Sequence, residues 1–214
     1  MGENGESMAK GRAESRSGPG GVLALEVEGR LVPMFFQFLG KGFVVRTDRE
    51  LTLRSFLKES LGMQDDYIEG RIQTLLLDGR PVDDVDRARV RRGATLALSA
   101  AMPGLLGAVL RKAGYYRKMR DSISHRETEE KDASAGGDVL VKLFNLVARE
   151  KGPALLERGV WIPRSDAAEF FSAQPQMFWE ACRRILWNGA PADREDLIRL
   201  PGKGGGLILK VTGA

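Results

Sequence analysis

The sequence predicts an α+β protein built from two similar halves. A strand-and-turn pattern occurs twice, and the elements around it come in the same order each time. In the clearer copy, the apolar residues 72–77 precede Asp78-Gly79 and then Pro81; in the other, residues 184–187 precede Asn188-Gly189 and then Pro191. Asp-Gly and Asn-Gly accept the positive φ angles of a tight hairpin turn, and proline is tolerated only at a sheet edge. Each copy therefore predicts a hairpin whose second strand lies at an edge.

Composition narrows the class of protein. A chain of 214 residues with 43% hydrophobic residues is long enough for packed cores. The longest nearly uncharged run, residues 94–110, is shorter than the roughly 20 residues that span a bilayer, so no transmembrane segment is predicted. The single cysteine, Cys182, cannot form an internal disulfide. This agrees with a reducing, cytoplasmic location. Residues 1–21 are rich in Gly, Ser, Glu and Arg, which predicts a disordered leader.

The first half begins with alternating apolar residues in 22–32, which predict a half-buried strand with a possible turn at residues 28–30. After the aromatic run 33–39, residues 43–46 predict a second strand. Thr52 is expected to cap a helix whose apolar residues recur at three- and four-residue spacing, and Gly62 to end it. After the hairpin, residues 93–98 predict a closing strand.

The second half repeats this order. Residues 138–148 and 159–162 predict two strands, and Ser165 or Asp166 is expected to cap a helix that Pro175 interrupts. After the second hairpin, residues 207–211 predict the last strand. The repeated order indicates a tandem duplication.

A β-hairpin, a helix crossing the sheet and a second pair of strands form the arrangement of the β-grasp fold, and each half resembles a ubiquitin-like domain. The resemblance is one of pattern over most of residues 22–99 and 138–211. It implies two tandem β-grasp-like domains, 22–100 and 138–214, joined by an apolar-basic connecting segment and flexible linker at 101–137. The alternative is one continuous sheet or barrel built from both halves, with a shared core.

The β-grasp branch with definite chemistry contains the sulfur carriers and ubiquitin, which react through a free C-terminal Gly-Gly. This sequence ends with Thr212-Gly213-Ala214, which departs from that pattern. A carrier-like or modifier function would therefore require cleavage after Gly137, which would expose Gly136-Gly137.

No residue pattern predicts catalysis, a cofactor or a metal site. The single histidine, His125, lies in a polar linker, and Cys182 is expected to be a small core residue despite the neighbouring arginines. The acidic pairs Asp65-Asp66 and Asp83-Asp84 are expected to form salt bridges. The glycine-rich residues 202–206 lack the spacing of a phosphate-binding loop. We therefore expect that the protein is not an enzyme.

The segment between the halves combines an apolar run with aromatic and basic residues. A connecting helix packed on one of the sheets is the simplest interpretation; a docking helix, a membrane-surface helix and a nucleic-acid-binding strip are the alternatives. The predicted function is a non-catalytic protein-interaction or adaptor module that binds a protein partner here and at the exposed sheet edges, with nucleic acid as the alternative partner. The residues predicted to bind are Met102, Leu105, Leu106, Arg111, Lys112, Tyr115, Tyr116, Arg117 and Lys118.

Overall fold

The computed structural model describes residues 20–100, 136–200 and 205–214. The first range contains seven strands and three α-helices, together with short 3-10 and π-helical segments. In order they are β1 (Val22–Val27), a 3-10 helix (Gly29–Phe35), α1 (Phe36–Lys41), β2 (Phe43–Arg46), β3 (Leu51–Thr52), α2 (Leu53–Ser55), a π-helical turn (Phe56–Ser60), α3 (Asp65–Gly70), β4 (Thr74–Leu77), β5 (Arg80–Pro81), β6 (Arg89–Val90) and β7 (Thr95–Ser99).

The other two ranges repeat the order of elements. In each half a strand is followed by a helix, a strand, two helices, a hairpin and a closing strand; the first half adds the short strands β3 and β6, and the second adds a helix before its closing strand. The second set comprises β8 (Asp138–Phe144), α4 (Asn145–Arg158), β9 (Val160–Pro163), α5 (Arg164–Ser172), α6 (Gln176–Glu180), β10 (Cys182–Trp187), β11 (Ala190–Pro191), α7 (Arg194–Ile198) and β12 (Gly206–Gly213).

Ten of these strands form one mixed sheet, and the protein belongs to the α+β class as predicted. The strand order is β11-β10-β1-β12-β9-β2-β8-β7-β4-β5, while β3 and β6 form a separate two-stranded sheet. A tandem β-grasp arrangement is not confirmed. The strand order is that of a continuous sheet built from both halves.

The first strand of each half lies among the strands of the other half. β1 pairs with β10 and β12, Leu23 lying opposite Trp187 and Leu209. β8 pairs with β2 and β7, Leu140 lying opposite Val44 and Thr95. The strands of residues 22–100 and 138–214 therefore do not form two separate sheets. The domain boundaries at these residues remain a prediction.

A helical connection in place of a hairpin accounts for the difference from the predicted strand pairing. Residues 22–32 were expected to continue as strand or turn towards 43–46, but Gly29–Phe35 and Phe36–Lys41 are helical. Leu31, Phe35 and Phe38 recur on the buried side of these helices. The connection carries the chain across the sheet, so β1 and β2 are not neighbours.

The longest helix of the described ranges, α4, was not predicted. The strand expected at 138–148 ends at Phe144, and the helix begins at Asn145, whose φ is 53°. Gly152 and Pro153 within the helix concealed its periodicity, because both residues weaken a helix. Gly152 is required by packing: a Cβ there would lie 2.9 Å from the side chains of Phe36 and Leu39.

One hydrophobic core lies between the helices and one face of the sheet. An aromatic cluster connects the two halves, with ring centroids 5.0–6.5 Å apart in its contacting pairs. First-half helices contribute two of its rings and the helices α5 and α6 contribute three. Its members are Phe35, Phe38, Phe170, Phe171 and Phe178.

Both predicted hairpins are present. Asp78 and Gly79 have φ angles of 50° and 77°, and Asn188 and Gly189 have 51° and 85°, as a two-residue hairpin turn with two positive φ angles requires. The strands that follow, β5 and β11, are the two outermost strands of the sheet and contain the predicted prolines.

One of the two predicted helix caps is correct. The hydroxyl of Thr52 accepts a hydrogen bond from the backbone N–H of Ser55 at 3.2 Å. The expectation for Ser165 or Asp166 was wrong, because α5 begins at Arg164 and Pro163 takes the capping position. Proline's fixed φ suits this position, which needs no N–H donor.

Within the described ranges, the helices are too short or too polar to cross a membrane. The cytoplasmic location remains a prediction.

Fragments 1–100 and 136–214, expressed as separate chains, are expected to fold only together, because each lacks a strand that the other supplies. Circular dichroism should show native β-structure for the co-expressed pair and little for either fragment alone. Leu25→Asp should abolish association, since Leu25 is 2% exposed and would bury an unpaired charge. Ala24→Asp, at the adjacent half-buried position, is the control and should preserve association. A cooperatively folded single fragment would contradict this expectation.

Candidate functional site

The predicted partner-binding residues, Met102 to Lys118, lie outside the described residues, as does His125. Their role therefore remains a prediction from the sequence. The described part of the chain presents a different candidate surface.

That surface is the face of the large sheet turned away from the core. In β1, Leu23 and Leu25 are buried whereas Ala24 and Glu26 are half-buried. The strand registers carry this alternation across the sheet, and the buried hydrophobic residues of its strands lie on the face that the described helices cover, whereas Thr74 and Ser99 are buried on the opposite face, in β4 and β7. We call the opposite face, to which Ala24 and Glu26 belong, the open face.

An apolar row crosses the open face. The strand registers place Ile208 opposite both Val22 and Trp161, Val44 opposite Trp161, and Leu140 opposite Val44. These five residues, the apolar row, come from five neighbouring strands spaced about 4.8 Å apart, so the row is about 19 Å long. Val22 is 37% exposed and the other four are half-buried.

The sequence contained a signal for this row that the sequence analysis did not use. Residues 43–45, 160–162 and 207–209 are continuously apolar, instead of alternating apolar and polar as in a strand with one solvated face. In such a run the residue directed away from the core is apolar as well. Without the strand order, nothing indicated that these residues form one row.

Trp161 is the largest side chain of the apolar row and lies over the backbone of β12. A Cβ on Gly206 would be 2.1 Å from its ring, so only glycine leaves room for the indole in this position. Ile208, two residues further along β12, is opposite Trp161 in the register. This packing fixes the position of the ring at the centre of the sheet.

A groove of about 270 Å³ opens beside Trp161, where β2 and β9 diverge after the pair Val44 and Trp161. Its polar wall contains two arginines that already have partners. Arg46 Nε donates to Asp138 Oδ1 at 2.8 Å, and the Arg158 guanidinium donates to the carbonyl of Ser60 at 2.8 Å. The groove therefore offers an apolar cleft with a polar wall beside the row.

Two lysines lie on opposite sides of the apolar row. Lys210 follows Ile208 by two residues in β12, and Lys142 follows Leu140 by two residues in β8. The successive antiparallel pairings between β12 and β8 make these two strands run in opposite directions. Each lysine is about 7 Å from the row along its own strand. The row therefore has a cation on each flank.

Cys182 is not an activated nucleophile. Its thiol donates to the carbonyl of Phe178 at 3.3 Å, and burial raises the pKa of Cys182 to about 11. The adjacent Arg183 and Arg184 are exposed and do not offset this effect. The expectation of a packed cysteine is met in part, because the residue is half-buried.

Asp65 forms salt bridges, as expected, whereas Asp84 accepts the backbone N–H groups of Asp86 and Arg87. Asp65 accepts from Lys58 at 2.6 Å and from Arg54 at 3.0 Å, and these bonds lower the pKa of Asp65. Arg54 also pairs with Asp86 and Glu69. Within the described ranges, His, Cys, Asp and Glu side chains form no group of three that could hold a metal ion.

Gly136 and Gly137, the pair that carrier chemistry would require, pack against the loop after β2. The Gly136 N–H donates to the carbonyl of Asp48 at 3.3 Å, and the carbonyl of Gly137 accepts from the Thr47 N–H at 3.0 Å. Within this fold the pair is part of the approach to β8 and is not a free end.

Gly206→Ala is expected to displace Trp161 and to destabilise the protein by about 1–3 kcal/mol, the usual cost of overpacking. The added Cβ would fall inside the indole ring's contact distance. Thermal unfolding and tryptophan fluorescence would measure the two effects. Gly70→Ala, where an added Cβ meets nothing within 4 Å, is the control and should leave the fluorescence unchanged. An unshifted spectrum for Gly206→Ala would contradict the placement of Trp161.

Alkylation of Cys182 by iodoacetamide at pH 8 is expected to be at least tenfold slower in the folded protein than in the denatured chain. With a pKa near 11, the folded thiol is almost entirely protonated at this pH, and the thiolate is the reacting form. Mass spectrometry would follow the reaction, and Arg183→Ala with Arg184→Ala should change the folded rate less than threefold. Equal rates in the folded and denatured protein would disprove burial of the thiol.

Comparison of the chain with protein-family models, with curated proteins and with solved structures found no match.

Proposed function

We propose that the protein is a non-catalytic protein-binding module and that its partner docks on the open face of the sheet. The apolar row carries this proposal. It places a tryptophan and four aliphatic side chains on a surface that the described helices do not cover. Contiguous apolar surface of this kind is typical of interaction sites.

The composition of the open face fits a protein interface. Such interfaces have an apolar centre, often with tryptophan as an energetic anchor, and a polar rim. Trp161 occupies the centre, and Lys142 and Lys210 lie on the flanks. The groove beside Trp161 adds a cleft of about 270 Å³ that a partner side chain could fill.

The sheet edges are less suited to binding than the sequence analysis predicted. β5 and β11 each have two residues and include Pro81 and Pro191. The register shift in the pairing of β1 and β10 marks a bulge near Arg184, which is exposed. Short strands, proline, bulges and exposed charge are the features by which proteins prevent edge pairing. We therefore place the partner on the open face and not at the sheet edges.

A protein partner is favoured over nucleic acid by the side chains of the row. Nucleic acids are held by cations at successive phosphates and by aromatic rings on which bases stack. Trp161 is the one aromatic ring of the row and two lysines flank the row, whereas the other four row residues are aliphatic and Arg46 is already paired with Asp138. An aliphatic row with cations at its sides fits a protein surface better.

Ile208→Glu with Leu140→Glu is expected to reduce the co-purification of specific partner proteins at least tenfold, because both substitutions place charge in the interface. Affinity purification from the native organism with quantitative mass spectrometry would measure the effect. The matched control is Leu146→Glu with Met177→Glu, which changes exposed apolar residues (41% and 69% exposed) outside the row. This control should retain the partners.

A second variant and a nuclease treatment distinguish the open face from the connecting segment and a protein partner from nucleic acid. Leu106→Asp with Tyr116→Asp tests the connecting segment that the sequence predicted. Loss of partners in that variant, with full retention in the open-face variant, would contradict docking on the sheet. Loss of partners from the intact protein after nuclease treatment would indicate nucleic acid instead.

A further inference from the structure

A second groove lies at the β11 end of the sheet, where β10 separates β11 from β1 and from Val22, the nearest residue of the apolar row. It has a volume of about 440 Å³ and lies between the strand β11 and the helix α7. We call it the hairpin groove. Trp187, Pro191 and Leu200 are among its apolar lining residues, and Asp193, Glu195, Asp196 and Arg199 among its polar ones.

The equivalent position beside the first hairpin is filled. Val82 and Val85, which follow β5, are each 3% exposed. The Leu53 N–H donates to the carbonyl of Ala88 at 2.8 Å and the Arg54 N–H to that of Val85 at 3.0 Å, so the start of α2 holds this segment in place. After β11, by contrast, Ala192 is half-buried and Pro191 is exposed.

The difference has a simple origin in the chain. In the first half, residues 47–52 lie between β2 and α2, and they include β3, which pairs with β6 beyond the first hairpin. In the second half β9 ends at Pro163 and α5 begins at Arg164, with no residues between them. The strand that pairs with β6 after the first hairpin therefore has no counterpart at the second.

The charge of the groove determines which occupant would fit it. Its lining residues include three carboxylates and one cation, although the whole chain has a net charge of +4. The cation, Arg199, lies 3.5 Å from Glu195. Asp193 and Asp196 each use one carboxylate oxygen to accept a backbone N–H at the start of α7. The Arg164 guanidinium lies over the Trp187 ring, 5.5 Å from its centroid, but Arg164 is not among the residues that line the groove. The lining residues therefore carry a net negative charge, and a basic group complements them.

We propose that the hairpin groove binds a basic peptide segment of a second partner protein, independently of the open face. A lysine or arginine side chain suits both parts of the groove. Its methylene stem packs against Trp187 and Pro191, and its charged end lies among the carboxylates of the rim. The volume of about 440 Å³ is within the range of small-ligand pockets, roughly 300–1,000 Å³. The groove therefore takes one or two side chains of an extended segment.

Fluorescence anisotropy with a labelled heptapeptide, Lys-Leu-Lys-Ala-Lys-Leu-Lys, and the full-length protein tests this proposal. The peptide should bind at least tenfold more tightly than its counterpart with Glu in place of each Lys. Ala190→Trp, which fills the groove from an exposed edge position, should weaken binding at least tenfold. Glu195→Lys should weaken it at least fivefold and serves as the second variant if Ala190→Trp does not fold.

Glu157→Lys is the matched control, because it makes the same change in net charge at an exposed position of α4. It should change the affinity less than twofold. A loss of affinity as large as that of Glu195→Lys would show that the peptide senses only overall charge and would overturn the proposal. Unchanged affinity in both groove variants, or no binding of the lysine peptide at 1 mM protein, would also overturn it. Loss of partners from the open-face variant has no bearing on this test, so the two proposals fail separately.

Discussion

Strand β1 has hydrogen-bonded neighbours on both sides, and both belong to the other half of the chain. Strand β8 has the same relation to the first half. Neither half can complete its part of the sheet alone, and the core is shared as a result. The aromatic cluster adds to this dependence, because Phe35 and Phe38 pack against rings from α5 and α6. The pair Val44 and Trp161 then joins the two parts of the sheet.

Local signals predicted local structure well. The dipeptides Asp78-Gly79 and Asn188-Gly189 determine their own backbone angles, so the hairpins could be predicted without knowledge of the rest of the chain. The helical connection at residues 29–41 and helix α4 could not. Their conformation depends on packing between segments distant in sequence, as at Gly152, which contacts Phe36 and Leu39. With these helices misassigned, the strand pairing was misassigned as well, because β1 and β2 were expected to be neighbours.

The candidate surfaces depend even more on tertiary structure. Trp161 and Ile208 are 47 residues apart in the chain, yet they lie opposite each other in the sheet. Their apolar character was visible in the sequence, but their common row follows from the strand order alone. The hairpin groove could not be predicted from the sequence either. It lies beside the hairpin whose half lacks an equivalent of β3, because Pro163 is followed directly by Arg164 at the start of α5.

The position of β1 has a consequence for biosynthesis. Leu23 is synthesised before its sheet neighbours Trp187 and Leu209, which lie more than 160 residues later in the chain. At about 5–20 residues per second, the intervening chain takes about 10–40 s to synthesise. During this time both backbone edges of β1 lack their native neighbours, and an unpaired strand is prone to aggregate. The sheet can close only after Leu209 has left the ribosome, so β1 must stay soluble without its neighbours until then.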